Sequence, residues 1–281
     1  MRYREYRPGP ALAPFVRALW TLEHRGEAPA ADRILPDGCM ELVFHLGQPF
    51  RALDDSGRAI AQPAAFLVGQ MTSALRVRPS SDARVVGVRF RPGGAFPFLR
   101  RPQHELTGAL PALDDVWPAL ARERERLGEL PDMDAVAQRV EAILSRAAER
   151  ASGPDRRIVA SVAAIASTGG AVAVDVLSAR CGLGARQLER LFRDQVGLGP
   201  KRLARIVRFQ AGLRLREAGA SLASAAQAAG YADQAHFTRE FNAIAGLPPS
   251  AFAAGEDPLA AAFVSGGPDV GFVQDAAASG S

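Results

Sequence analysis

The last third of the chain repeats itself, and that repeat restricts its fold more than any other feature. Gly197-Leu198-Gly199-Pro200 returns 49 residues later as Gly246-Leu247-Pro248-Pro249. At the same offset Leu188 aligns with Phe237, Arg190 with Arg239, Phe192 with Phe241 and Leu203 with Phe252. Gly182 aligns with Gly230 at an offset of 48, so the second turn is one residue longer. Each unit reads as helix, glycine-bearing turn, helix and a Gly-x-x-Pro stop, which is the sequence form of a helix-turn-helix present twice. Between the units, residues 200–218 read as one helix, with Pro200 in its first turn and Gly219 just past its end. Nineteen residues at about 1.5 Å each span about 28 Å. Successive major-groove exposures on one face of DNA lie about 34 Å apart, so such a rod suits two reading helices in adjacent grooves.

The second helix of each unit is the expected reader. Leu188, Leu191 and Phe192 form an inward stripe in the first and leave Arg186, Gln187, Glu189, Arg190 and Arg193 outside. In the second, Phe237, Phe241 and Ile244 turn inward and leave Gln234, Ala235, His236, Thr238, Arg239 and Asn242. Arg, Gln, Asn, Glu and Thr are the side chains that pair with base edges or phosphates. Charge points the same way. Residues 156–253 carry 13 Arg and Lys against 6 Asp and Glu, whereas the rest carries 21 against 24. A basic block joined to a mildly acidic one suggests that one half meets a polyanion and the other does not.

The first hundred residues read as strands and turns. Met40, Leu42, Phe44 and Leu46 alternate with Glu41, Val43 and His45, so one face of this strand is core and the other is expected to be solvated. Ala65-Phe66-Leu67-Val68 is a short apolar strand, and residues 75–78 and 84–90 read as a hairpin around a polar turn. From about residue 113 the periodicity turns helical, with one helix expected over 114–128 and another over 132–150. The second carries Met133, Val136, Val140, Ile143 and Leu144, a stripe that suits either a dimer interface or the protein's own sheet. Ala151-Ser152-Gly153-Pro154 breaks it. The expectation is an α+β chain with a small antiparallel barrel or sandwich and flanking helices over 1–152, a double helix-turn-helix domain over 155–253, and a disordered tail over 254–281. Val270-Gly271-Phe272-Val273 is an apolar island in that tail.

Several function classes recede on composition. No run approaches eighteen apolar residues, and the start lacks the apolar core of a secretory signal, so a cytoplasmic protein without a membrane partner is expected. Two cysteines and four histidines leave little for a disulfide framework or a dedicated metal enzyme, and no cofactor is called for. Cys39, Glu41 and His45 do share one face of a strand, where thiol, carboxylate and imidazole suit a metal or a nucleophile, although an ordinary wetted face explains them too. Arg76, Arg78, Arg84, Arg89 and Arg91 cluster on the expected hairpin and suit an anion, or again a wetted face. His104-Glu105 reads as the start of a helix.

Residues 156–253 resemble the DNA-binding domain of AraC/XylS-type transcription regulators. The resemblance rests on Ala225-Ala226-Gln227-Ala228-Ala229-Gly230-Tyr231-Ala232-Asp233-Gln234-Ala235-His236-Phe237-Thr238-Arg239-Glu240-Phe241, followed by Gly246-Leu247-Pro248-Pro249. It implies base contacts from Arg186, Glu189 and Arg190, then from Gln234, Ala235, His236 and Arg239, with Thr238 on the same exposed face. Ala235 offers only a methyl group, Glu189 reads only a donor, and Gly184 stands where a capping Ser is usual. Arg193, Lys201 and Arg202 are the expected phosphate contacts. The front half resembles one subgroup of these regulators, through Arg33-Ile34-Leu35-Pro36-Asp37-Gly38-Cys39-Met40-Glu41-Leu42-Val43-Phe44-His45 and Val88-Arg89-Phe90-Arg91-Pro92-Gly93-Gly94. Front domains across the wider family are cupin-like and bind an effector, dimerise, or both. The resemblance thus implies a sequence-specific, non-enzymatic regulator with double-stranded DNA as partner, and leaves room for RNA polymerase, a small-molecule effector and a second copy of the chain. The alternative from another class is a DNA-tethered enzyme, such as a repair or alkyl-transfer protein using Cys39.

Overall fold

The computed structural model describes residues 1–54 and 56–252; the expected tail and its apolar island lie outside them. In chain order the strands are β1 (Arg2–Tyr6), β2 (Val16–Arg25), β3 (Asp32–Ile34), β4 (Glu41–His45), β5 (Arg51–Leu53), β6 (Ala59–Ala61), β7 (Ala65–Val68), β8 (Leu75–Arg78) and β9 (Asp82–Phe90). They form two antiparallel sheets, ordered β1-β2-β9-β4-β7 and β3-β8-β5-β6, and not a closed barrel. β8 pairs with β3 and β5 while β9 pairs with β2 and β4, so residues 75–90 are not the expected hairpin. The polar turn instead carries the chain from one sheet to the other. The five arginines separate accordingly. Arg78 is exposed on β8, whereas Arg89 is enclosed between the sheets and Arg91 donates from Nε to the Ala13 carbonyl.

The period-two alternation of the larger sheet supplies two cores rather than one. Leu19, Leu42, Phe44, Leu67, Val86, Val88 and Phe90 face a layer of helices. Trp20, Leu22, Val43, Phe66, Val68 and Val85 face the smaller sheet. The face of β4 expected to be wet is therefore covered: Cys39, Val43 and His45 are buried and Glu41 is nearly so. Strands of three or four residues give almost no periodicity, which is why the second sheet left little trace in the sequence. Gly87 sits opposite Trp20 in the β2–β9 ladder, and a Cβ there would lie 2.1 Å from the indole. The glycine makes room for the ring.

The helical layer starts with α1 (Phe96–Leu99), followed by a 3-10 turn at Gln103–Leu106 that includes His104 and Glu105. In place of one helix over 114–128 stand α2 (Leu113–Val116), α3 (Pro118–Ala121) and α4 (Glu123–Gly128). Pro118 explains the first break, because it forces Trp117 out of the helical region, to φ −151° and ψ 70°. α5 (Met133–Ala148) is capped by Asp132, whose side chain accepts from Ala135 N–H. Its stripe of Met133, Val136, Val140 and Leu144 packs on the protein's own larger sheet, so these side chains are not free for a second copy.

The remaining elements are α6 (Arg156–Ser167), α7 (Val174–Cys181), α8 (Ala185–Gln195), α9 (Pro200–Glu217), α10 (Leu222–Ala228) and α11 (Gln234–Ala245). Two helix-turn-helix units, α7–α8 and α10–α11, flank α9. The first unit packs with α6 around Ile158, Val162, Ile165, Leu188, Phe192 and the early α9 residues Leu203 and Val207. The second packs around Phe237, Phe241, Ile244 and the later α9 residues Phe209 and Leu213. No helix among the described residues is long and apolar enough to cross a membrane.

Gly87→Ala should lower stability by about 1–3 kcal/mol, because the added carbon meets an indole packed on its other sides. Urea unfolding of the variant against the parent measures this; an unchanged midpoint would show that Trp20 is free to move.

Candidate functional site

The two expected reading helices are held in different ways at their starts. Asp233 caps α11 by accepting from His236 N–H at 2.6 Å, and Ser221 caps α10 in the same manner. Gly184 offers α8 no side-chain cap. On α8, Arg186, Glu189, Arg190 and Arg193 are exposed, as are Gln234, Ala235 and Arg239 on α11. His236 and Thr238 are half-buried, and the His236 ring meets Tyr231 edge-on at 5.2 Å. The Glu189 carboxylate abuts Gly199 at the start of α9, where a Cβ would lie 2.1 Å from its Oε1. A carboxylate at a helix N-terminus is electrostatically favoured there, which gives Glu189 a role inside the domain. Lys201 and Arg202 are exposed in the first turn of α9 and share an open groove with Glu189, Arg193, His104 and Thr107. The three cations expected at phosphates thus lie together.

Among the described residues of this half, one charged residue is buried. Glu240, on the inner face of α11, is 7% exposed. Its Oε2 accepts from Arg205 Nε at 2.9 Å, its Oε1 accepts from Tyr231 hydroxyl at 2.9 Å, and Arg208 lies 3.7 Å from Oε1. Arg205 and Arg208 are neighbours on one face of α9, so this network fixes α11 against the connecting helix. Burial and the adjoining Glu240 raise the Tyr231 hydroxyl pKa, and the Arg208 guanidinium sits 5.0 Å over its ring. Sequence reading passed over Glu240. The available signal was a lone carboxylate beside Phe241 on the inward stripe, three residues after Phe237.

The front domain contains an enclosed cavity between its two sheets. Trp20, Val43, Phe50, Phe66, Val68 and Leu75 supply apolar wall, while Asp37, Cys39, Glu41, His45, Gln62 and Arg89 supply the polar wall. Arg89 is 1% exposed, and burial works against its charge. Glu41, with its Oε1 2.5 Å from Arg89 Nε, and Asp37 at 3.6 Å more than restore that charge. Glu41 is itself pushed above the usual carboxylate range by burial, against the pull of Arg89. Burial pushes the Cys39 thiol up to about 12, which keeps it neutral and unreactive at physiological pH. Among the described residues no group of three His, Cys, Asp or Glu side chains is placed to hold a metal ion. Cys39, Glu41 and His45 are therefore neither a wetted face nor a metal cluster, but part of a cavity wall.

The segments that wall this cavity also seat the helical half. Leu35 is buried in the core of the second helix-turn-helix unit. The Pro36 carbonyl accepts from Gln210 Nε2 at 2.7 Å on α9, and Gly38, at φ +81°, lies so close to Leu203 that a Cβ would come within 2.7 Å of it. Gln70 Nε2 donates to the Gly38 carbonyl, and Ala74 N–H donates to the Ile244 carbonyl at the end of α11. At the other side of the junction Thr107 Oγ1 donates to the Gly197 carbonyl and His104 Nδ1 lies 3.6 Å from Asp194.

Glu240→Ala should cost about 1–3 kcal/mol, since it strands the Tyr231 hydroxyl and two partly buried guanidinium groups; Arg205, half in solvent, limits the loss. Denaturant unfolding checks it, and Tyr231→Phe should cost less. His45 gives a pH signature. Burial depresses its folded pKa to about 4, below the ordinary 6.5, with Arg124 adding to the shift. The unfolded chain then binds the proton first, so stability falls as pH drops from about 6.5 towards 4, by roughly 2 kcal/mol at pH 5. A His45→Gln variant should lose that part of the slope in unfolding curves taken between pH 7 and 5.

Residues 4–110 match a family described as a domain of unknown function, DUF6597, and residues 177–255 match a family described as a helix-turn-helix domain. No curated protein matches the sequence. Among solved structures the chain is similar to ToxT from Vibrio cholerae O395, with 12% identity, coverage of 83% of this chain and 95% of that one, and a TM-score of 0.43. It is similar also to ToxT bound to (E)-4-(8-methylnaphthalen-1-yl)but-3-enoic acid, with 11% identity, 83% and 97% coverage and a TM-score of 0.44. A third is unsaturated fatty acid bound wild-type ToxT from V. cholerae strain SCE256, with 14% identity, 83% and 92% coverage and a TM-score of 0.39. With the α7–α8 and α10–α11 units in place around α9, the matched C-terminal segment is a helix-turn-helix domain built of two such units.

Proposed function

We propose that this protein is a cytoplasmic, sequence-specific DNA-binding regulator of transcription, with a front domain over 1–152 that answers to an effector and a reading domain over 155–253. The observation that carries the reading is the pair of helix-turn-helix units held by a single connecting helix, with a basic surface outside and the Glu240 network inside. α8 and α11 are assigned to adjacent major grooves of one duplex. Arg186, Arg190, Gln234, His236 and Arg239 are then base readers, Ala235 and Thr238 lie against base or backbone, and Glu189 serves mainly the start of α9. Arg193, Lys201 and Arg202 are assigned to phosphates.

Effector control is favoured by the shared walls. Residues 34–39 face the front-domain cavity on one side and touch α9 on the other. A molecule that displaces this segment changes the seat of the helix that spaces the two readers. The enzyme alternative loses its nucleophile, because the Cys39 thiol is buried and held neutral. RNA polymerase and a second copy of the chain remain open as partners, and a self-association surface would have to lie away from the buried stripe of α5.

Selection of sites from a random DNA pool by the full-length protein, at defined salt, tests the reading. Two short boxes about one helical turn apart are expected; salt-sensitive binding without enrichment would count against it. On the selected site Arg239→Ala should cost about 1–3 kcal/mol and relax preference at one base pair. Lys201→Ala should weaken all sequences alike and lower the salt slope by about one unit. Titrations on specific and random duplexes over a salt series separate these outcomes.

A further inference from the structure

His45 carries a cavity-wall feature that the protein's own packing leaves incomplete. The side chain is 1% exposed, stacked on Phe66 at 5.6 Å and tilted against Phe50 at 4.9 Å. Its Nε2 bonds Gln62 Oε1 at 3.1 Å. An amide oxygen only accepts, so Nε2 holds the proton and Nδ1 keeps a bare lone pair. Nδ1 is buried and has no hydrogen-bond partner. Because burial depresses the imidazole pKa to about 4, the ring stays neutral and Nδ1 remains an acceptor at physiological pH. A buried acceptor without a donor is costly, and a bound molecule carrying a donor would recover that cost.

The rest of the wall narrows the class. Trp20, Val43, Phe50, Phe66 and Val68 present aromatic and branched surface. Asp37 and Glu41 stand against the single guanidinium of Arg89, so the lining carries no positive charge to spare for an anion. About 50 Å³ of the cavity is open to the centre of a water molecule. For a compact shape, adding a water radius all round gives roughly 200 Å³ of empty space, enough for one aromatic ring system.

We propose that this cavity binds a small, neutral aromatic molecule bearing an N–H or O–H group, of the phenol or indole class, which donates to His45 Nδ1 and packs its ring among Trp20, Phe50 and Phe66. The proposal rests on the effector reading above and names the chemistry of that effector. Calorimetry on the full-length protein with matched pairs tests it: phenol against anisole, indole against 1-methylindole, and benzoate as the anion. Each donor should bind about tenfold more tightly than its donor-free partner, with benzoate weakest. His45→Phe, which keeps an aromatic ring and removes the acceptor, should bring each pair to equal affinity. Phe66→Trp, which fills the cavity, should abolish binding of both members. Equal affinities within the wild-type pairs, benzoate binding as well as phenol, or no binding of any probe would each overturn the proposal. The wild-type comparison needs no variant to fold. Site selection on DNA is read separately: an enriched motif without ring binding rejects the ligand class and spares the regulator, and ring binding without a motif does the reverse.

Discussion

Helix α9 is the member on which the arrangement of the C-terminal half depends. Its early residues Leu203 and Val207 complete one core, and its later residues Phe209 and Leu213 complete another. Neither helix-turn-helix unit closes its core without it. Eighteen residues at about 1.5 Å each make a rod of about 27 Å, so the separation of the units is a property of one backbone and not of a flexible joint. Arg205 and Arg208 extend the same logic to orientation, since their pairing with Glu240 sets how the second reader lies across the rod.

The larger sheet plays the corresponding part in the front half. It is covered on one face by helices and on the other by a second sheet, and the cavity lies on the second side. A sheet enclosed on both faces has nowhere to solvate a charge, so Arg89, Glu41 and Asp37 satisfy one another inside. The same enclosure neutralises His45 and Cys39.

The helical half was legible because its signals are local and redundant. Repeat spacing, turn glycines and inward aromatics fall within fifty residues of one another, and each supports the same element boundaries. The connecting helix ends at Glu217 with Ala218 as its cap, close to the reading of 200–218. In the front half single strands were legible, the short ones at 65–68 and 75–78 included, but a core face only where alternation is long. β4 shows it, and the helix-facing residues Met40, Leu42 and Phe44 were recognised correctly as core. β3, β5 and β6 are only three residues long, and β8, read as a strand, pairs with β3 and β5 rather than β9; that pairing no local pattern records. Without that sheet the Cys39, Glu41 and His45 face looked wet. The break at Trp117–Pro118 was visible in the sequence and underweighted beside the helical period. Glu240 shows the remaining limit, since a buried carboxylate reads as a solvated one until its two arginines are known to face it.

Leu35 has a consequence for how the molecule comes apart. It belongs to the front half by sequence, yet its side chain completes the core of the rearmost unit, and Ala74 and Pro36 add backbone bonds to the same neighbourhood. The break near residue 153 is therefore a boundary of the chain and not of cooperativity. Melting the front domain pulls a plug from the back one, and a partner that tightens either half stiffens the other, whatever else joins them.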